Sequence, residues 1–292
     1  MIKQLLITAG AAGVLAGVSL WNYRRFMPKP RSLGAGTHEV DIRPMTIPAG
    51  EHRLYGELLL PKDRTGPVPM VICCHGFGSS YKLCRDTMGK CFAMSGLGAF
   101  CFDFYGGSKK TRSGGTMEQM SIFTEQADLD AVIDAIAGLP EVDAENLFLL
   151  GESQGGCVSG ITAPQHTDQL RAMVLYYPAF NIPENAQAKY RTPAEISDQD
   201  VTFNIKVGRF YNEKLLDYDV YEHIAGFDRP VLILHGDADE TVDIKYGRRA
   251  AEVYPDAVFV RMPGETHGFT GKGKLTAAEK SYHFFLQHMK ED

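Results

Sequence analysis

The stretch Leu149-Leu150-Gly151-Glu152-Ser153-Gln154-Gly155-Gly156 decides how this chain is read. Just upstream, Asn146 to Leu150 (NLFLL) is a short apolar run of the kind that forms a strand covered on both faces. Just downstream, Cys157 to Ala163 is compatible with a helix that starts near Gly155. Gly151 and Gly155 remove side chains where strand and helix would collide, so the bend can be sharp and Ser153 can sit at its tip with a free hydroxyl. In a chain with 30 glycines a serine between two of them is usually an ordinary turn. The strand before this one and the helical segment after it are what lift it above that bland reading.

A serine hydroxyl is a weak nucleophile until a base takes its proton and a third group orients the base. The bend therefore demands an acid and then a histidine downstream, each just past a strand. Pro230 to Leu234 (PVLIL) is such a strand, and it runs into His235-Gly236-Asp237-Ala238-Asp239-Glu240-Thr241-Val242-Asp243. Asp237 stands close to the strand, and Asp243 is placed to cap a helix running to about Val253. The acid is expected a few residues past the strand end, which favours Asp239. Ala257 to Arg261 (AVFVR) is the last strand, followed by Met262-Pro263-Gly264-Glu265-Thr266-His267-Gly268-Phe269. Of nine histidines only His267 lies in a glycine-flanked loop beyond the final strand. The alternative for it is an exposed loop histidine with no task.

Acyl chemistry also needs donors for the oxyanion that forms in the transition state. The apolar strand Pro69 to Cys74 ends in His75-Gly76-Phe77-Gly78-Ser79-Ser80, where glycines flanking Phe77 permit a tight path that exposes an amide. The backbone N–H groups of Phe77 and Gln154 are the expected oxyanion donors. His75 itself reads as a strand-end histidine that packs locally. Asp103, after the strand Gly98 to Phe102, precedes the serine in the chain and reads as a carboxylate that organises its own loop.

Around these motifs the elements alternate. Val40 to Ile47 and Leu54 to Leu60 flank Pro48-Ala49-Gly50-Glu51, a hairpin signal. Helices are expected over Met88 to Ser95, Thr116 to Ala137 (ended by Gly138 and Pro140) and Tyr282 to Met289. After the strand Leu170 to Tyr176 the alternation breaks, and residues 178–228 are far too many for a normal connection. That segment carries Phe180, Tyr190, Phe203, Phe210, Tyr211 and Tyr218 among polar residues, and reads as an inserted cap of short helices over Ser153. A lateral surface excursion is the alternative.

With 292 residues, 44% of them apolar, the chain can bury one large core. A net charge of -6 and scattered basic residues argue against a nucleic-acid surface. The six cysteines show no metal-ligand spacing and read as buried reduced thiols; no metal or organic cofactor is expected. Leu5 to Trp21 is uncharged over seventeen residues, with Arg24, Arg25, Lys29 and Arg31 beyond it. This reads as a single-pass membrane anchor with the catalytic body on the cytoplasmic side, a cleaved signal peptide for secretion being the rival. The expected partition is an N-terminal hydrophobic segment (1–25), a linker (26–37) and a catalytic domain (38–292) with the cap at 178–228 inside it.

Three stretches carry a resemblance: HGFGSS (75–80), FDFYGGS (102–108) followed by MEQMSIFTEQADLDAVID (117–134), and GESQGG (151–156). Together with HGDADETV (235–242) and ETHGF (265–269) they make residues 40–289 similar to the α/β-hydrolase superfamily, and most of all to its bacterial cinnamoyl and feruloyl esterase branch. The resemblance implies an α/β fold with a mostly parallel eight-stranded sheet flanked by helices and an inserted cap. It implies Ser153 as nucleophile, His267 as base, Asp239 as its orienter, and the Phe77 and Gln154 amides as oxyanion donors. The expected activity is serine carboxylic-ester hydrolysis of small acyl or hydroxycinnamoyl-type esters. A monoacylglycerol lipase, a peptidase-like serine hydrolase and a hydrolase-like binding scaffold remain as alternatives.

Overall fold

The computed structural model describes residues 29–290. Its frame is one eight-stranded sheet built from β1 (Val40–Ala49), β2 (His52–Pro61), β3 (Val68–Cys74), β4 (Gly98–Phe102), β5 (Val142–Glu152), β6 (Leu170–Tyr176), β9 (Val231–Gly236) and β10 (Ala257–Met262). The spatial order is β1-β2-β4-β3-β5-β6-β9-β10, with β1 and β2 antiparallel to their neighbours and every other pairing parallel. The missing strands of the count, β7 (Gln199–Thr202) and β8 (Ile205–Gly208), form a separate hairpin.

The apolar runs without alternation are explained by two cores, one on each face. Along β3, Met70, Ile72 and Cys74 point into one, while Val71 and Cys73 point into the other. Along β5, Leu147 and Leu149 face the first, and Phe148 and Leu150 the second. Each such fully buried side chain contributes about 1.5–3 kcal/mol relative to exposure. All six cysteines are buried and free, five of them within these cores.

Helices cover both faces: α1 (Tyr81–Cys84), which continues through a π-helical turn at Arg85–Gly89 into α2 (Lys90–Met94), then α3 (Ile122–Ala137), α4 (Gln154–Thr162), α8 (Ile244–Val253) and α9 (Gly271–Gln287). Helix α3 starts later than its apolar pattern suggests, because Ser121 and Thr124 form a reciprocal capping box there and Met117–Gln119 is a separate 3-10 turn. Helix α9 starts eleven residues earlier than Tyr282. Two glycines and two lysines hide its first turn from a pattern search, yet Thr270 caps it by accepting from the Gly273 amide.

Residues 177–230 leave the sheet between β6 and β9. They hold α5 (Ile182–Lys189), the β7–β8 hairpin, α6 (Phe210–Glu213) and α7 (Val220–Ile224). The segment is therefore not made of short helices alone. The hairpin turn is Phe203-Asn204, both at positive φ (50° and 61°), a primed-turn geometry for which Asn-Gly is the usual signal. A phenylalanine at such a position conceals the turn from sequence reading.

The expected membrane anchor needs correction. Among the described residues no helix is long and apolar enough to cross a membrane; the longest, α9, is interrupted by charged residues along its length. The segment 5–21 on which the anchor and its signal-peptide rival were read lies outside the described residues. No described helix supports the expected single-pass anchor or a catalytic body on the cytoplasmic side of a membrane.

Candidate active site

Ser153 sits between β5 and α4 at φ 53° and ψ -117°, a conformation that a residue with a Cβ adopts only under constraint. The constraint is visible. The Ser153 amide donates to Tyr176 O (3.0 Å), and its carbonyl accepts from Cys157 N (3.0 Å) and Ala179 N (2.9 Å). A Cβ placed on Gly155 would lie 2.4 Å from the His75 carbonyl oxygen, and one on Gly151 2.5 Å from the Gly155 carbonyl oxygen. Helix and strands therefore meet backbone to backbone, and the bend is held at its tip.

The three loops at the carboxyl ends of β5, β9 and β10 bring the sequence candidates together. Ser153 Oγ lies 2.9 Å from His267 Nε2, and His267 Nδ1 lies 2.8 Å from Asp239 Oδ2. With Nδ1 facing a carboxylate, the proton belongs there, which leaves Nε2 as the acceptor for the serine hydroxyl. The Asp239 side chain is buried, and burial alone would raise its pKa. Hydrogen bonds from His235 and His267 outweigh that, the charge of His267 and the Val242 amide add to them, and the carboxyl is held well below the usual range. Its second oxygen accepts from Thr241 N (2.8 Å) and Val242 N (2.9 Å).

The rival carboxylates are occupied elsewhere. Asp237 binds Arg261 (2.6 Å) and the Gly264 amide (2.6 Å), and Asp243 caps α8 through Lys245 N (2.8 Å). Asp103 accepts from the amides of Tyr81 and Arg112, both at 2.8 Å, and holds its loop together. His75 is buried, with Nδ1 2.8 Å from Gly76 O and Nε2 accepting from Phe104 N at 3.3 Å; burial lowers its pKa.

Phe77, in the loop after β3, and Gln154, the first residue of α4, line one cavity with Ser153. A Cβ on Gly76 would stand 3.1 Å from Ser153 Cβ, so the β3 loop passes directly beside the serine. The β3 loop and the hydroxyl paired with His267 thus share one face of the cavity.

Several supporting residues escape a motif search. His235, at the end of β9, places Nε2 2.9 Å from Val242 O and 3.4 Å from Asp239 Oδ2, so Asp239 lies between two imidazoles. Tyr177, at φ 37°, sets its ring tilted against that of His267, with centroids 4.7 Å apart, and donates its hydroxyl to Glu152 (2.8 Å). Glu152 in turn is paired with Lys274 of α9 at 3.3 Å, both side chains almost fully buried. Glu152 precedes the serine in the chain, and its charge could have been noted as unusual for a buried strand end. Tyr177 and Lys274 carry no local signal, since their partners lie far away in sequence.

A cavity of about 510 Å³ opens onto Ser153 and His267. Its walls come from the β3 loop (Phe77, Gly78) and from residues 177–230, including Asn181, Ile182, Phe203, Ile205 and Tyr211. That volume falls in the range usual for small-molecule sites. At its far side Asp200 is bound by Lys189, by Tyr190 (2.9 Å) and by Asn212 (2.9 Å), which ties the hairpin to α5 and α6.

Comparison with known proteins agrees with this architecture. A family model described as Serine aminopeptidase, S33 matches residues 65–198. Est1E from Butyrivibrio proteoclasticus, with ferulic acid bound, superposes with a TM-score of 0.76 at 25% identity, over 85% of this chain and 100% of that one. A second structure of Est1E from the same organism gives 0.73 at 24% identity, over 85% and 99%. A dienelactone hydrolase from Anabaena variabilis gives 0.61 at 20% identity, over 87% and 100%, and shares the fold. No curated protein matches.

Proposed function

We propose that this chain, an α/β hydrolase resembling the bacterial cinnamoyl and feruloyl esterases, is a serine carboxylic-ester hydrolase that works through an acyl-serine intermediate. The observation that carries the reading is the unbroken line from Ser153 Oγ through the two nitrogens of His267 to Asp239, at 2.9 and 2.8 Å. In the first half-reaction His267 Nε2 takes the Ser153 proton as Oγ attacks the ester carbonyl. The negative charge develops on the carbonyl oxygen between the Phe77 and Gln154 amides, and the imidazolium is stabilised by Asp239. His267 then gives its proton to the leaving alcohol, and water repeats the sequence on the acyl-enzyme. One oxyanion donor of this kind is typically worth about 2.7–4 kcal/mol.

The substrates are proposed to be small acyl or hydroxycinnamoyl-type esters, and residues 178–228 to act as a cap within one catalytic domain spanning 38–292. Support comes from the Est1E structure with ferulic acid and from the aromatic walls of the cavity. The family description favours a second reading, a peptidase-like hydrolase. An aminopeptidase needs a carboxylate free to take a substrate ammonium. Asp200, the carboxylate lining this cavity, is already bound by Lys189, Tyr190 and Asn212. Ester cleavage is the better fit. A monoacylglycerol lipase is separated from an aryl esterase by comparing methyl ferulate with a chain-length series of acyl glycerols.

Ser153→Ala tests the core of the reading. Turnover of p-nitrophenyl butyrate is expected to fall by about four orders of magnitude or more, and labelling by a fluorophosphonate to disappear. A rate near that of the unmodified protein would refute the assignment, and a native protein inert to both reagents would point instead to a binding scaffold.

A further inference from the structure

The two expected oxyanion donors lie on different elements, Phe77 in the loop after β3 and Gln154 at the start of α4, and one side chain touches both residues. Tyr211, on α6 in the excursion, donates its hydroxyl to Gln154 Oε1 at 2.8 Å. Its ring meets that of Phe77 edge-on, with centroids 5.9 Å apart. The other end of Gln154 is fixed as well, because its Nε2 donates to Glu125 of α3 at 2.8 Å. The Gln154 side chain is thus clamped between α3 and the excursion, and it cannot swing without breaking one of two buried bonds. Tyr211 is itself buried, and burial pushes its phenol far above its ordinary pKa, so it remains a hydroxyl donor at any working pH.

Packing gives an independent reason to treat these residues as one unit. Phe77 does not pack into either sheet core. It packs with Ile205 against a third, small cluster made of Met117, Met120, Val207 and Tyr211. The β3 loop that offers the Phe77 amide therefore rests on a core that the excursion helps to build. Gly208, at the end of β8, seals this contact: a Cβ there would lie 2.1 Å from Glu118 O.

We propose that Tyr211 is the positioning residue of the oxyanion hole: by hydroxyl to Gln154 and by ring to Phe77, it sets the two amides at the spacing the tetrahedral intermediate requires. The excursion then completes the catalytic machinery as well as covering the cavity. This inference rests on the Ser153, Phe77 and Gln154 roles proposed above.

Tyr211→Phe keeps the ring and removes the bond to Gln154. Losing one neutral buried hydrogen bond should lower kcat on p-nitrophenyl butyrate about 3- to 10-fold with little change in KM. Affinity for an aryl trifluoromethyl ketone, whose serine adduct bears an oxyanion, should fall by the same factor. Binding of an uncleaved ester to Ser153→Ala and to Ser153→Ala/Tyr211→Phe should be equal. Tyr190→Phe, which loosens the excursion at Asp200 without touching either donor residue, serves as the control, with thermal midpoints measured for all variants.

Parallel losses of kcat and ketone affinity in Tyr211→Phe, absent in Tyr190→Phe, support the proposal. It is overturned if Tyr211→Phe retains kcat within about twofold, if ketone affinity is unchanged, or if Tyr190→Phe loses as much. An active Ser153→Ala would instead overturn the underlying esterase reading, so the two failures are told apart.

Discussion

The rim of the sheet and the excursion of residues 177–230 meet at Ser153 but are built on opposite principles. At the rim, three loops leave the carboxyl ends of the parallel strands β5, β9 and β10 and are locked by backbone contacts, a buried ion pair and a doubly held carboxylate. In the excursion, elements are three to eight residues long, and large apolar side chains such as Val201 and Phe203 stand in solvent at 58% and 67% exposure. The contrast teaches that reaction chemistry is placed where the fold is stiffest, while the walls that meet the substrate are drawn from its least buried part. The contact at Tyr211 is the seam between them.

This contrast can be broken or sharpened at defined positions. The largest effect is expected at Asp239→Asn, which should lower kcat by about four orders of magnitude, since His267 loses the group that fixes its tautomer. The same change has a pH signature. The native Asp239 carboxyl is held below its ordinary value of 3.8, so the folded state binds fewer protons there than the unfolded chain. Its stabilisation is present above that ordinary value and is lost as pH falls toward the depressed one. Denaturant titrations of Asp239→Asn at a series of acidic pH values should therefore show a shallower fall in stability; an unchanged slope would count against the buried charge.

The next largest effect tests the stiffness of the rim. Lys274→Met leaves Glu152 buried without its cation and should destabilise the fold by about 3 kcal/mol in denaturant titration. Restoring stability with Glu152→Gln in the same chain would show that the pair, and not the helix contact, is responsible.

The smallest effect lies in the excursion. Phe203 occupies a positive-φ turn position that suits asparagine far better, so Phe203→Asn should gain about 1 kcal/mol of stability. Aryl esters should meanwhile lose kcat/KM relative to ethyl and butyl esters, because the ring standing 5.9 Å from Phe77 is gone. A gain in stability without a change in selectivity would show that the ring does not face the acyl group.

The same division explains what was legible in the sequence. The central strands were readable because burial on both faces writes an unbroken apolar run, as in Val71-Ile72-Cys73 or Phe148-Leu149-Leu150. Ser153, Asp239 and His267 were marked by glycine-rich loops at fixed positions after such runs, and the structure sets them side by side. The hairpin was not legible, because its turn uses Phe203-Asn204 and its strands are four residues long. Nor were Tyr177, His235, Glu125 and Lys274, whose importance arises from partners that only the folded chain supplies. The start of α9 was hidden by glycine, and its true signal was the single cap at Thr270.

The glycines at 151 and 155 carry a further consequence. Where main chain lies on main chain there is no rotamer to adjust, and even a methyl group would have to move a strand or a helix. Neighbouring variants cannot be reached by small steps through alanine, so this corner of the molecule is closed to gradual change. Diversification toward new esters must therefore run through the hairpin walls, away from Tyr211, where one substitution alters a wall and leaves the hinge of the chemistry untouched.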